Sequence, residues 1–288
     1  MHRIFFQLGP VTIFSYGAMM VVAFLTASWL ASRSARRLPP AQRVLNPAQI
    51  VDLFCLAMLS GVLGGRLFFV VQYWEVYVHQ PQEIPAIWHG GLVWYGGFLG
   101  GLLGIVLYLW FHRIPVLRGI DQFIPFVALG HGIGRIGCFL NGCCFGKPTS
   151  AWFGLTAAAG EPARIPTQLL ESGSLLLLFL ALRRLQERWG LPPHQLARPQ
   201  PTASHRVRSC ETARIVARGS DSASWWGGAL FGAYLVGYAV IRFFIEFLRG
   251  DQTVVWAGMT LQQLLSLGVL LGGLALFRRD SRSKSRAS

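Results

Sequence analysis

The chain has 288 residues, of which 53% are hydrophobic and only 13% charged, and its mean hydropathy is +0.45. That balance excludes an ordinary soluble domain, in which roughly a quarter of residues are charged. The formal net charge of +14 is of a size that nucleic-acid binders carry, but no interleaved basic–aromatic stripe accompanies it, and the excess matches basic loops facing anionic lipid headgroups, so no nucleic-acid partner is expected.

Stretches long enough to cross a hydrocarbon core, about 20 residues, recur along the chain. The first is Ile13–Ser32, followed by Arg33, Arg36, Arg37 and Arg43. Basic residues after rather than before the apolar run mark a retained helix, not a cleaved signal peptide. Gln49–Trp74 is the second, interrupted by Asp52 and Arg66, and Glu75–His89 forms a polar connection behind it. Gly91–Phe111 is the third; Gly96, Gly97, Gly100, Gly101 and Gly104 give it the small-residue spacing that lets helices pack closely. Gly64–Gly65 and the run Gly130–Gly146 are read differently, as places where backbone approaches a ligand.

Arg113 and Arg118 precede the fourth span, Gly119–Asn141, which carries Asp121, His131 and Arg135. A second polar connection, Cys143–Pro166, leads to the fifth span, Thr167–Leu182, with Glu171 near its start. Leu185–Ser224 is rich in Arg, Pro and Ser and has little apolar periodicity, so it reads as a flexible basic insertion. Ser222–Ile241 and Gln252–Phe277 complete the set, and 280–288 is a basic tail. The expected organisation is therefore residues 1–184 with five spans, the loop 185–224, two further spans in 225–279, and the tail. Short basic loops stay cytoplasmic. These place the N-terminus outside and the C-terminus in the cytoplasm of an all-α, multi-pass bundle of seven transmembrane helices with small extracytoplasmic segments.

Four arginines fall within or at the ends of spans: Arg66, Arg135, Arg242 and Arg249. A charge at the bilayer centre costs at least about 2.5–3.5 kcal/mol on insertion scales, so such residues mark functional sites by default. Arg242, Glu246 and Arg249 recur at i, i+4 and i+7, and His131 and Arg135 at i and i+4, which puts each set on one helix face. Two readings stay open. The charges form a salt-bridge network among helices, with Asp52, Asp121 and Glu171 as further partners, or the planar guanidinium forks hold an anionic phosphate, most simply that of a phospholipid headgroup.

Cys138, Cys143 and Cys144 cluster in the sequence. Thiolates suit soft metals, but the CxxC pairs common in zinc sites are absent and a fourth ligand such as His131 would be required. The cysteines therefore read as small buried hydrophobes, and neither a metal nor a cofactor is expected.

The ordered motifs GPVTIFSYG, GGRLFFVV, HGGLVWYGGFLGG, GRIGCFLNGCCFGKP, PTQLLE and YAVIRFFIEFLRGD resemble those of the prolipoprotein diacylglyceryl transferases of the bacterial inner membrane. The resemblance covers nearly all of the chain outside Leu185–Ser224. It implies transfer of the diacylglyceryl group of phosphatidylglycerol to the lipobox cysteine in a prolipoprotein signal peptide, giving a thioether and glycerol phosphate. This is the first step of lipoprotein maturation. By motif, Arg135 matches an arginine that contacts the lipid headgroup and Arg242 a second essential arginine, with Glu246 holding Arg242 by ion pairing. Tyr16 matches a headgroup-positioning tyrosine. Asn141, Gly142 and Gly146 match polar and backbone-shaping signature positions, and Gly90, Gly91, Gly96 and Gly97 shape the opposite wall. The chain also departs from the pattern. Tyr95 stands where some members carry a histidine proposed as the thiol's base, which leaves Tyr95 and His89 as candidates. Cys138 replaces a common Asn, Cys143 a common acidic residue and Leu170 a tyrosine. Two further readings share the same arginines, a membrane transporter or binding protein for an anionic lipid or metabolite and an inactive relative. No internal repeat of the transporter kind relates the two halves.

Overall fold

A computed structural model describes residues 4–8, 11–39, 43–87, 90–156, 160–190, 227–250, 254–256 and 258–285. The fold is helical, with two small antiparallel hairpins. Strands β1 (Ile4–Leu8) and β2 (Val11–Phe14) pair ahead of α1 (Ser15–Arg37). Then come α2 (Pro47–Gln72), a short α3 (Trp74–His79), a 3-10 turn at Pro81–Glu83, α4 (Trp94–Phe111), α5 (Val116–Asn141), α6 (Thr167–Gly190) and α7 (Ala229–Leu248). Strands β3 (Val254–Trp256) and β4 (Met259–Thr260) form the second hairpin, and α8 (Leu261–Ser285) follows.

Six of these helices, α1, α2, α4, α5, α7 and the Leu261–Arg278 part of α8, are long and apolar enough to cross a membrane. The remaining long helix, α6, has the length but carries Glu171, Arg183, Arg184, Glu187 and Arg188. Large apolar side chains cover the outside, among them Leu63, 71% exposed, and Leu177, 69% exposed. This is the inverse of a soluble surface and suits lipid as the solvent.

Helix α5 is central and packs on α1, α6 and α7, while α2 packs on α4 and α7 on α8. Glycines set the closest approaches. A methyl group at Gly64 would fall 2.4 Å from the Gly96 carbonyl and 2.9 Å from the Gly100 Cα. Gly64 and Gly65 therefore serve the α2–α4 contact, correcting the expectation that they approach a ligand. Gly130, Gly134 and Gly137 recur at i, i+4 and i+7 on α5 and face Ala27, Met20 and Met19 of α1.

Buried polar groups tie the layers together. Asp121, wholly buried, accepts hydrogen bonds from the backbone N–H groups of Gly228 (2.8 Å) and Phe231 (2.8 Å), capping the start of α7 from α5. Gln122 holds the α1–α2 connection by accepting from Val44 and Leu45 and donating to the Leu45 carbonyl.

The helix boundaries differ from the sequence expectation in instructive ways. Gly90 and Gly91 adopt φ of +83° and +75°, so α4 starts at Trp94 rather than Gly91. Helix α7 runs seven residues beyond Ile241, so Arg242 and Glu246 lie in its last two turns rather than past its end. The expected span from Gln252 begins as a hairpin, and α8 starts only at Leu261. Helix α6 continues to Gly190, absorbing the first residues of the expected loop; the remainder, 191–224, lies outside the described residues.

Candidate functional site

The site is built on two helix faces. On α5, His131, Arg135 and Cys138 stand at i, i+4 and i+7; on α7, Tyr238, Arg242 and Glu246 stand at i, i+4 and i+8. The faces meet where the His131 and Tyr238 rings approach to 5.2 Å between centroids. Arg135 donates a hydrogen bond to Tyr238, and both Arg135 and Arg242 lie within electrostatic reach of His131 and of Tyr238. Tyr16, at the start of α1, is within reach of Arg135 from a third side.

Each guanidinium is paired with one carboxylate. Arg135 Nη2 lies 2.9 Å from Glu171 Oε1, and Arg242 Nη2 lies 2.8 Å from Glu246 Oε2. Both are ion pairs rather than aligned hydrogen bonds. Glu246 Oε1 accepts a hydrogen bond from Thr260 Oγ1 at 2.9 Å, which anchors the pair to the start of α8. On each arginine a buried nitrogen, Arg135 Nε and Arg242 Nη1, has no hydrogen-bond acceptor among the described residues. Leaving a buried donor unpaired costs about 1–3 kcal/mol, and more when it is charged. Two such donors from adjacent helices make a receptor for an anion with several acceptor oxygens.

Arg66 supplies the contrast. It is also buried, but its guanidinium donates to the carbonyls of Glu83, Ile84, Gly90 and Gly91 and lies over the Phe69 and Tyr77 rings. Arg66 therefore organises the connection between α3 and α4 and takes no part in the anion site.

The turn after α5 is clamped from α6. Gly142, at φ +76°, closes α5 in the left-handed conformation. Thr167 Oγ1 donates to the Cys144 carbonyl at 2.7 Å, Gln168 Nε2 donates to the Cys143 carbonyl, and Glu171 pairs with Arg135. One turn of the PTQLLE segment thus grips both the signature turn and the arginine above it. A methyl group at Gly146 would fall 2.5 Å from the Leu248 carbonyl and 2.8 Å from the Thr167 side chain. The Asn141 side chain hydrogen-bonds Cys143. Hydrogen bonds from the Cys138 and Cys143 thiols, with Arg249 and Arg135 nearby, hold the Cys144 thiol well below the usual thiol range.

The structure thus brings Arg135, Arg242, Glu246 and Tyr16 together, with Asn141, Gly142 and Gly146 shaping the adjoining turn. Tyr95 stands apart. It is half exposed at the start of α4, edge-on to Trp94, and α4 packs chiefly on α2. Gly96 and Gly97 face Gly64 and Gly61 and serve helix packing between α4 and α2. His89 lies outside the described residues. Two members of the cluster do not stand out in the sequence. The i, i+4 spacing with Arg242 is the signal that finds Tyr238, whereas Thr260 reaches Glu246 only through the fold.

A sequence model described as prolipoprotein diacylglyceryl transferase matches residues 3–198 and 214–279. Among similar proteins, the phosphatidylglycerol–prolipoprotein diacylglyceryl transferase of Parasynechococcus marenigrum is 34% identical, covering 95% of this chain and 92% of its own length. The protein of that name from Gluconobacter oxydans is 30% identical, covering 98% and 94%, and that from Clostridium tetani is 29% identical, covering 97% and 98%.

Proposed function

The chain belongs to the prolipoprotein diacylglyceryl transferase family, and from that premise we propose that Arg135 and Arg242 hold the lipid phosphate in the reaction it carries out. The protein is a multi-pass transferase of the bacterial inner membrane that moves the diacylglyceryl group of phosphatidylglycerol to prolipoproteins. The observation that carries the residue assignment is the pair of buried guanidinium donors, Arg135 Nε and Arg242 Nη1, left without acceptors among the described residues where α5 meets α7.

In this reading α6 is the seventh span and the N-terminus is outside. The basic ends of α1 and α6 then share the cytoplasmic side, and the signature turn, Tyr16 and the ends of α5 and α7 share the outer side. Arg135 and Arg242 each lie six residues before the last residue of their helices, about 9 Å along the axis at 1.5 Å per residue. That depth suits a phosphate drawn slightly below the headgroup layer.

The acceptor is the lipobox cysteine. As its sulfur bonds to the glyceryl carbon, the carbon–oxygen bond breaks and its electron pair stays on the phosphate oxygen, so glycerol phosphate leaves with the charge. Donors already in place where that charge grows lower the barrier without reorganising. Glu171 and Glu246 hold the guanidinium groups, and Tyr16 lines the headgroup side. Purified protein, phosphatidylglycerol carrying a labelled diacylglyceryl group and a lipobox-cysteine peptide test this together. A thioether product from the native chain, lost in Arg135→Ala that still inserts and stays folded, is the expected result. Full activity in that variant overturns the phosphate assignment.

A further inference from the structure

We propose that Cys138, Cys143 and Cys144 form a three-thiolate site for a zinc-like cation whose fourth position takes the thiol of the incoming substrate cysteine. The identity of that fourth ligand rests on the transferase reading above; the metal site itself does not.

The three Sγ atoms lie within 4.8 Å of one another, and the cysteines are free. Tetrahedral zinc with Zn–S bonds of about 2.3 Å sets its sulfurs about 3.8 Å apart, which small side-chain rotations reach from here. The sequence hides this geometry because Cys138 comes from the last turn of α5 and the other two follow the left-handed turn at Gly142, so no CxxC pair exists. The backbone is fixed in place by α6 through Thr167 and Gln168. Cys144 itself sits at φ +66°, a conformation that a side chain of its size keeps only where its surroundings over-determine it. All three side chains are partly exposed, so an ion can reach them.

His131 is not the fourth ligand. It lies seven residues before Cys138 on α5, about 10 Å along the axis, with its ring against Tyr238. Three protein ligands and one open position is the arrangement of catalytic rather than structural zinc. Three thiolates on a divalent cation leave one negative charge, and Arg135 and Arg249 lie within electrostatic reach of Cys144.

The chemistry balances without a redox partner. The substrate thiol displaces water from the metal and its proton passes to solvent, since a coordinated thiol is deprotonated outright. The bound thiolate sulfur forms the bond to the glyceryl carbon while the carbon–oxygen bond breaks toward phosphate. The thioether, a poor ligand, departs and water returns. This supplies thiol activation from a cluster whose Cys144 lies within electrostatic reach of Arg135, whereas Tyr95 belongs to α4, which packs chiefly on α2.

The test uses the full chain in detergent under reducing conditions, with Co(II) as the probe and zinc content measured on the isolated protein. Stoichiometric cobalt with sulfur-to-metal charge-transfer bands is expected, weakened in each of Cys138→Ser, Cys143→Ser and Cys144→Ser. A lipobox peptide should alter the visible bands, and the same peptide with serine for cysteine should not. Absent binding, binding unchanged in the triple serine variant, or a disulfide within the cluster in freshly isolated protein overturns the metal site. Cobalt that binds but ignores the cysteine peptide overturns its catalytic role. The transfer assay separates the two readings. Serine variants that still form thioether at the native rate sink the metal's catalytic role alone. A zinc-loaded native chain that forms none sinks the transferase reading while leaving the metal site standing.

Discussion

Arg242→Lys is the sharpest perturbation of the phosphate site. Lysine keeps a cation beside Glu246, so the carboxylate, with its hydrogen bond from Thr260, is not stranded. What is lost is the fork, in which Nη2 faces Glu246 at 2.8 Å while Nη1 stays available. An ammonium that satisfies Glu246 cannot present the second donor in the same plane. A hydrogen bond to a charged group contributes about 1.5–3 kcal/mol, so kcat/KM for phosphatidylglycerol should fall by about 10- to 150-fold at 1.4 kcal/mol per decade. Alanine is the poorer choice, because removing one partner of a buried pair costs about 3–5 kcal/mol in stability and confounds the readout. The assay is thioether formation at several lipid concentrations, read beside the thermal midpoint in detergent. A loss below about threefold, less than 1 kcal/mol on that scale, refutes the donor argument, as does a loss that merely tracks the fraction of unfolded protein.

Tyr95→Phe should leave kcat/KM within about twofold, as for surface changes of up to 0.5 kcal/mol, because Tyr95 is half exposed on α4; a collapse in turnover with unchanged stability would restore it as the base. Gly146→Ala should lower the thermal midpoint, since the added methyl meets the Leu248 carbonyl at 2.5 Å and overpacking costs about 1–3 kcal/mol; an unchanged midpoint would show that the turn gives way freely. Asp121→Ala should destabilise the chain by at least the cost of losing a helix cap, about 0.5–2 kcal/mol, because the amides of Gly228, just before α7, and Phe231 in its first turn lose their acceptor; melting in detergent checks it. Excising 199–213, the stretch the family match skips, should preserve transfer, and loss of activity at normal membrane abundance would give that segment a role.

The two buried ion pairs stand differently in the sequence. Arg242 and Glu246 are four residues apart on one helix, and that spacing alone places them together. Arg135 and Glu171 come from α5 and α6, and the sequence offers Glu171 only as one of several carboxylates within spans. Fixing that pair takes the clamp by which Thr167 and Gln168 hold the Cys143 and Cys144 carbonyls, since it sets the register of one helix against the other.

Composition and periodicity by themselves determined a helical membrane protein, its approximate spans and the arginines worth following, because apolar length and misplaced charge are local properties that lipid solvation makes legible. Which glycines pack helices, which arginine is spent on backbone carbonyls, and which three thiols converge were decided only by tertiary structure. Gly64 and Gly96, Arg66 and Gly91, and Cys138 and Cys144 are joined by contacts between separate helices or across a left-handed turn, and neither hydropathy nor helical spacing carries information about those approaches.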